Sequence, residues 1–447
     1  MRITIILVEF IMAQVVAAIL LPVGTRSQQM TDYSGPVFLS NHSLNTPIDS
    51  LPVHPNSDNY VASIGANTSL HPDFGKSWND DGTLRPMGIP YNVVGAGQPF
   101  LPITFTLYDD ESDPGPWPIP QNPYIETVFN WRDLDDGDRH MLIVDSSSHM
   151  LYETGVVYGN ADGTEWQGGC GAVFDLNSNT LRPETWTSAD AAGLPIFPLL
   201  IRYDEVTRAL ATDGVCHHAI RFTAENTQRA YVWPARHYAS SSTNPNRPPM
   251  GLRFRLKDSV AISGYSPRMQ VILNTMKKYG IIVSDNGGNW FFQGTHDDRW
   301  NDDDINTLKN LHGRDFEAVD ISSWMTRPGF DPASGAVPPA SGTSVFSNDN
   351  SLIPQAFILY QNFPNPFNPK TLIRYHLSEI DRVSLKIFDV LGREITTLVN
   401  EEKTAGMHIM EWDGKNSAGQ NVGSGVYFYQ LKSESGITKT QKMIYAK

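Results

Sequence analysis

The chain is expected to be mainly β: a β-sandwich or jelly-roll-like body with a few late helices, followed by a compact C-terminal β module. Three observations predict this. Charged residues make up only 18% of the 447, while 35 glycines and 31 prolines demand many turns, which disfavours a helical bundle. Short runs of alternating apolar and polar residues recur between turn clusters along the whole chain. Finally, the segment YQNFPNPFNPKT, Tyr360 to Thr371, separates two blocks of such runs, because Pro364, Pro366 and Pro369 exclude helix and lead stiffly into a strand.

From the start of the chain, MRITIILVEFIMAQVVAAILLPVGTRSQ places one early arginine before an apolar run broken by Glu9 and Gln14. That pattern fits a secretory signal peptide over residues 1–27 better than a signal anchor, with cleavage near 24–29. Residues 28–100 read as a loop-heavy approach to the core, with strands at Ile89–Ala96 and Leu101–Leu107. The proline-rich stretch 109–126 crosses a surface or rims a cleft. DRHMLIVD and HMLYETGVVY, joined through Ser146–Ser148, form the clearest hairpin. Further strands are expected at 171–176, 218–224, 229–235 and 251–256. In the last of these, Arg253, Arg255 and Lys257 alternate with Leu252, Phe254 and Leu256, so a basic row is expected on one strand face. Ser266 and Pro267 start a helix that ends at Gly280, and a short capped helix follows in DDDINTLKNLHG. The body is thus 28–325, and 326–353, rich in Pro, Ser, Gly and Ala, reads as a linker.

After Thr371, strands are expected at 372–377, 383–389, 394–399, 406–412, 425–432 and 439–446. With YQNFPNPFNPKTLIRYHL, IFDVLGREI and EWDGKNSAGQNVGSGVYFYQL in that order, residues 354–447 resemble the C-terminal sorting module of Bacteroidota-type secreted proteins. That resemblance implies an immunoglobulin-like β-sandwich related to the flagellar hook-cap fold. It also implies export by a type IX secretion machinery, its partner through residues 354–447, with periplasmic transit before release or surface display. The run HMLIVD, LYE, SADAAGLPI, RYDEV, HAIRF, PARH, PPMGLRFRL and KKYG resembles an uncharacterised family of secreted bacterial proteins over most of 45–320, which implies no reaction.

A net charge of −14 and a pI near 5.3 argue against nucleic acid or an anionic membrane as partner, and no membrane span is expected after processing. Cys170 and Cys216 are either paired in an oxidising compartment or separately buried thiols. No P-loop, dinucleotide or GxSxG motif occurs, so no cofactor is expected. No metal is expected either, since His217 and His218, adjacent on a strand, point to opposite faces.

Polar and aromatic residues are densest from Trp186 to His237. Asp190, among small residues, and Glu205 supply the carboxylates that glycosidic cleavage needs, and His218 a third acid or base. Arg221, Arg253 and Arg255, with His237, would hold the uronate carboxylates of an acidic polysaccharide, and Trp186 would stack on a sugar ring. Each has a bland alternative: turn chemistry for Asp190, a satisfied core histidine for His218, salt bridges for the arginines. The expectation is a secreted polysaccharide-degrading enzyme, a hydrolase or a lyase on an acidic glycan. The alternative is a non-catalytic glycan-binding or adhesive surface protein. His140, Asp145 and Glu153 on the hairpin form the reserve site.

Overall fold

The computed structural model describes residues 31–340, apart from 36, 81, 135 and 136. It also describes 358–445, apart from 360, 361, 363–366, 368, 378, 379, 404, 405 and 435. The expected signal peptide, most of the proline-rich lead-in and the linker beyond 340 lie outside the described residues.

The chain is mainly β. In the body, a six-stranded sheet runs in the order His71–Asp73, Phe291–Gln293, Ile220–Thr223, Ile281–Asp285, Arg253–Leu256, Phe316–Ala318. It is mixed: Ile220–Thr223 runs parallel to Ile281–Asp285 and antiparallel to Phe291–Gln293. A four-stranded sheet, Cys170–Asp175, Met150–Gly155, Met141–Asp145, Tyr91–Val94, contains the expected hairpin, with Asp145 opposite Met150 and Met141 opposite Thr154. All of Met141–Asp145 is buried because both faces of that strand are covered. Leu142 and Val144 join the main core with Phe222 and Phe254, while Met141 and Ile143 pack on Trp117 and Trp166. An unbroken apolar run is what a strand covered on two sides requires.

The helix Pro267–Lys278 starts as read, with Ser266 Oγ accepting from Met269 N, and Gly280 leaves it at φ +72°. Two helices appear where none was read. Ser57–Ile64 lies inside the supposed loop-heavy approach, and Tyr203–Leu210 covers the RYDEV motif. The second has Asp204 and Glu205 in its first turn and Arg208 in its last, the order that the helix dipole favours. The strand expected at 229–235 is instead a single bridge, Tyr231 to Met250. Pro234 has no N–H to offer a ladder there. His217 and His218 precede the strand Ile220–Thr223, so the opposite-faces argument does not describe them.

Residues 326–338, read as the start of the linker, pack on the body. Phe330 and Val337 join a small core with Trp233 and Trp324, and Ser334 O accepts from Trp233 Nε1. The packed body therefore extends past 325.

The C-terminal module is a β-sandwich. One sheet holds Ile358–Leu359, Thr371–Leu377 and Gly406–Trp412, the other Glu394–Lys403, Asp381–Asp389, Gly425–Ser433 and Thr438–Tyr445. Val383, Leu385 and Ile387 face inward at every second position and meet Ile373, Tyr375, Trp412 and Tyr429 in a separate core. Among the described residues no helix is long and apolar enough to cross a membrane.

Candidate active site

The six-stranded sheet builds a polar row across three adjacent strands. Asp73 is registered with Gln293, and the Phe222–Phe292 pairing sets Gln293 beside Arg221. All three therefore project from one face. The Arg221 guanidinium contacts Gln293 Oε1 closely, and Gln293 Nε2 donates to Asp73 Oδ2 at 3.3 Å. Arg221 Nε donates to Asp190 Oδ2 at 3.1 Å, with both side chains buried. Asp190 arrives on the turn 187–193, where Ser188 Oγ accepts from Asp190 N at 3.0 Å. Gly193 closes that turn at φ +67°, and a Cβ there would lie 2.5 Å from Trp186 O, so glycine is required. Burial raises the pKa of Asp190, and the Arg221 charge opposes that rise.

A second group of ionisable side chains meets the row from the hairpin side. His140 Nδ1 lies 2.5 Å from Glu126 Oε2, and its Nε2 lies 3.2 Å from Ala189 O. Both ring nitrogens thus face acceptors, which only the doubly protonated imidazolium satisfies. Burial alone would lower the pKa of His140, but the Glu126 charge and hydrogen bond outweigh it and hold it up to about 9. For Glu126 the opposing effects are burial and the His140 charge, and the net result is a lowered pKa. Asp138, exposed, completes a set whose ligand atoms lie within 4.8 Å of one another, and Glu126, Asp138 and His140 are the side chains that could hold a cation. The charges of Glu126, Arg221 and Asp138 all act on Asp73, so row and hairpin form one cluster.

Asp285, half-buried, ends the central strand Ile281–Asp285, and burial followed by the Asp190 charge pushes its pKa up to about 7. Glu153 is fully buried on the hairpin and accepts from Ile196 N at 2.8 Å and Phe197 N at 2.7 Å. Desolvation outweighs those two donors and raises it to about 7.

The residues singled out from sequence are scattered over the body. Asp190 and Arg221 are brought together. Trp186 and His237 lie at the edge of the same turn: Arg182 sits 5.6 Å over the Trp186 ring, and His237 Nδ1 bonds Ala191 O at 2.9 Å. The half-buried Glu205 and the buried His218 form a separate pair at 3.1 Å, with Arg202 at 2.8 Å from Glu205 and Ala219 O at 2.7 Å from His218 Nδ1. Burial would raise Glu205, but Arg202 and then His218 bring it down to about 2. Arg253 is buried and donates to Ser43 O and Tyr279 O, and desolvation lowers its pKa to about 9. Arg255 is engaged by Glu317 at 2.8 Å and by three carbonyls at 48, 49 and 51. Arg253 and Arg255 of the expected basic row are therefore committed to carbonyls of the fold, while Lys257 donates to Arg314 O at 2.8 Å at the surface.

Asp145 caps the hairpin turn through Ser147 and Ser148. Cys170 and Cys216 are both free thiols, the first with Ser188 O 3.0 Å from its sulfur. Asp73, Glu126 and Gln293 were missed, since they stand up to 220 positions apart on turns and strand ends, and Asp285 reads from sequence only as the start of the DNGG turn.

The arrangement defines a two-part protein: a β-rich body with a cluster of ionisable side chains, and a module of immunoglobulin-like fold. The module is similar to the FlgD Ig-like domain, whose family model matches residues 370–436. Among solved structures, the chain is similar to dimeric latent PorU from Porphyromonas gingivalis at 23% identity. That match covers 19% of this chain and 9% of PorU, with a TM-score of 0.18. PorZ of the same organism, a surface component of its type IX secretion system, matches at 21% identity over 20% of this chain and 11% of PorZ, TM-score 0.16. FlgD from P. aeruginosa matches at 20% identity over 17% of this chain and 59% of that one, TM-score 0.15. The chain thus spans about a tenth of the PorU and PorZ chains it matches. No curated protein matches it.

Proposed function

We propose that the body is a polysaccharide-cleaving domain and that residues 354–447 direct its export through a type IX secretion system to the cell surface or medium. The observation that carries the catalytic reading is the joining of Asp73, Gln293, Arg221 and Asp190 with Glu126 and His140 in one cluster, within which the proton affinities of the carboxyl groups are pushed apart. Asp285 is raised to about 7, whereas Glu126 is lowered by His140. Near pH 7 Asp285 holds its proton in about half of the molecules while Glu126 is ionised, the division of labour that acid–base cleavage of a glycosidic bond uses. Asp285 is the acid, protonating the leaving oxygen, and Glu126 the ionised partner oriented by His140. Asp190 and Arg221, sealed from solvent, are positioning residues that set the charge around Asp285.

A non-catalytic glycan-binding reading draws support from the half-exposed rings of Tyr231, His237 and Tyr238, which offer stacking faces. A glycan panel separates the two. New reducing ends mark hydrolysis, ultraviolet absorbance of unsaturated uronates marks elimination, and retention without either product marks binding. Loss of product in Asp285→Asn with an unchanged melting temperature supports the assignment. Wild-type turnover in both Asp285→Asn and Glu126→Gln would refute it.

The export reading rests on the module's motifs and its FlgD-like immunoglobulin fold. Deleting 354–447 should leave the body folded but retained in the periplasm, because the two hydrophobic cores are separate.

A further inference from the structure

The segments 226–231 and 238–248 lie side by side, tied to the strand end at Asp285 through Asn286, whose Oδ1 accepts from Thr227 Oγ1 at 2.7 Å and whose Nδ2 donates to Ala239 O at 2.8 Å. Gln228 N donates to Pro248 O at 2.9 Å, Arg229 N to Ser242 O at 2.6 Å, and Gln228 Nε2 to Asn244 O at 3.1 Å. They form one wall of a recess of about 400 Å³, whose lining includes Asn59, Asn226, Asn244, Asn246 and Arg247. Each amide offers donors and an acceptor, the combination that matches a ring of hydroxyl groups. The same two segments, with His237, also carry a row of half-exposed aromatic rings. Tyr238 lies 5.6 Å from His237 with planes 3° apart and 6.4 Å from Tyr231 with planes 16° apart. Centroid separations that large between near-parallel rings mean lateral offset, so part of each face remains free for stacking. Tyr231 is held by its hydroxyl, which donates to Glu184 at 3.0 Å, and Arg229 sits 5.8 Å over the Tyr238 ring.

Besides Glu184 at Tyr231, this surface carries two arginines, Arg229 and Arg247. In a protein of net charge −14, neither Arg229 nor Arg247 meets a carboxylate among the described residues. Two guanidiniums without counter-ions, an amide-lined recess and an aromatic strip specify complementary features of one ligand: a carboxylate, hydroxyls and an apolar ring face. We infer that this surface is a subsite for a uronic acid residue of a polyuronate chain. The inference rests on the reading of the body as carbohydrate-active and names the substrate class. The uronate carboxylate pairs with Arg229 or Arg247, and the C–H face of its ring stacks on Tyr238.

The test is affinity electrophoresis of the full chain in gels containing polygalacturonate, a neutral soluble cellulose derivative, or polyglutamate. Polygalacturonate should retard the protein selectively. Arg229→Ala with Arg247→Ala, and separately Tyr238→Ala, should weaken that retardation by about tenfold or more, while Tyr238→Phe preserves it. Melting temperatures should match wild type, since these side chains are exposed or half-exposed. Asp285→Asn should bind normally even where it releases no product, so the subsite and the catalytic assignment fail independently. The inference is overturned by retardation that the alanine variants leave unchanged, by preference for the neutral glycan, by equal retardation in polyglutamate, or by none in any gel.

Discussion

Replacing Glu153 by glutamine tests the electrostatics of the body most directly. The carboxylate is fully buried and receives two backbone N–H donors, yet its pKa stands at about 7 against 4.5 in a model peptide. A group whose folded pKa is raised in this direction binds more protons folded than unfolded between those values. Stability therefore falls as pH rises from about 4.5 to 7, by roughly 3 kcal/mol at 1.36 kcal/mol per pKa unit. Glutamine carries no charge and escapes that loss. It keeps one acceptor but turns an amide NH₂ toward the second donor, at a cost of about 1–3 kcal/mol. Glu153→Gln should thus be clearly less stable than wild type at the acid end of the window and close to it above neutral. Urea denaturation at several pH values, followed by tryptophan fluorescence, reads this, since Trp412 is the only one of ten tryptophans in the C-terminal module. A stability gap that stays constant across the window would refute the reasoning.

Glu205→Gln should destabilise the body by about 3 kcal/mol near neutral pH by leaving Arg202 unpaired in the interior, and calorimetry measures it. The stability from the Glu205 shift is present above about 4.5 and lost as pH falls towards 2, so the variant should lose less than wild type on acidification. Asp285→Asn should lower turnover on a cleaved glycan by roughly a hundredfold, and the wild-type rate should fall as pH rises through about 7, where the acid loses its proton. Gly193→Ala should lower the melting temperature through its φ of +67° and the clash with Trp186 O, whereas Gly419→Ala, equally left-handed but with open space, should cost less.

Legibility from sequence followed the range of the interactions involved. The hairpin 141–155, the Ser266-capped helix and the strands after residue 371 were readable because periodicity, capping and turn chemistry are written in neighbouring residues. The Tyr203–Leu210 helix escaped because eight residues make barely two turns, too few for the apolar face of Val206 and Ala209 to stand out as a period, and its stability comes from packing and the Arg208–Asp204 pair.

The site divides in the same way. The chain alone determined that Asp190 sits in a small-residue turn and that arginines alternate along 251–257. It also determined a second β module that begins near the proline-rich stretch. Only the tertiary structure decided that Arg253 and Arg255 are consumed by backbone carbonyls while Arg221 joins Asp190. It alone set Asp73, Glu126, His140 and Asp285 around that pair. The physical reason is that strand register and sheet order bring distant positions together, and the charge state of a carboxyl group follows from its burial and neighbours, neither of which a local motif records.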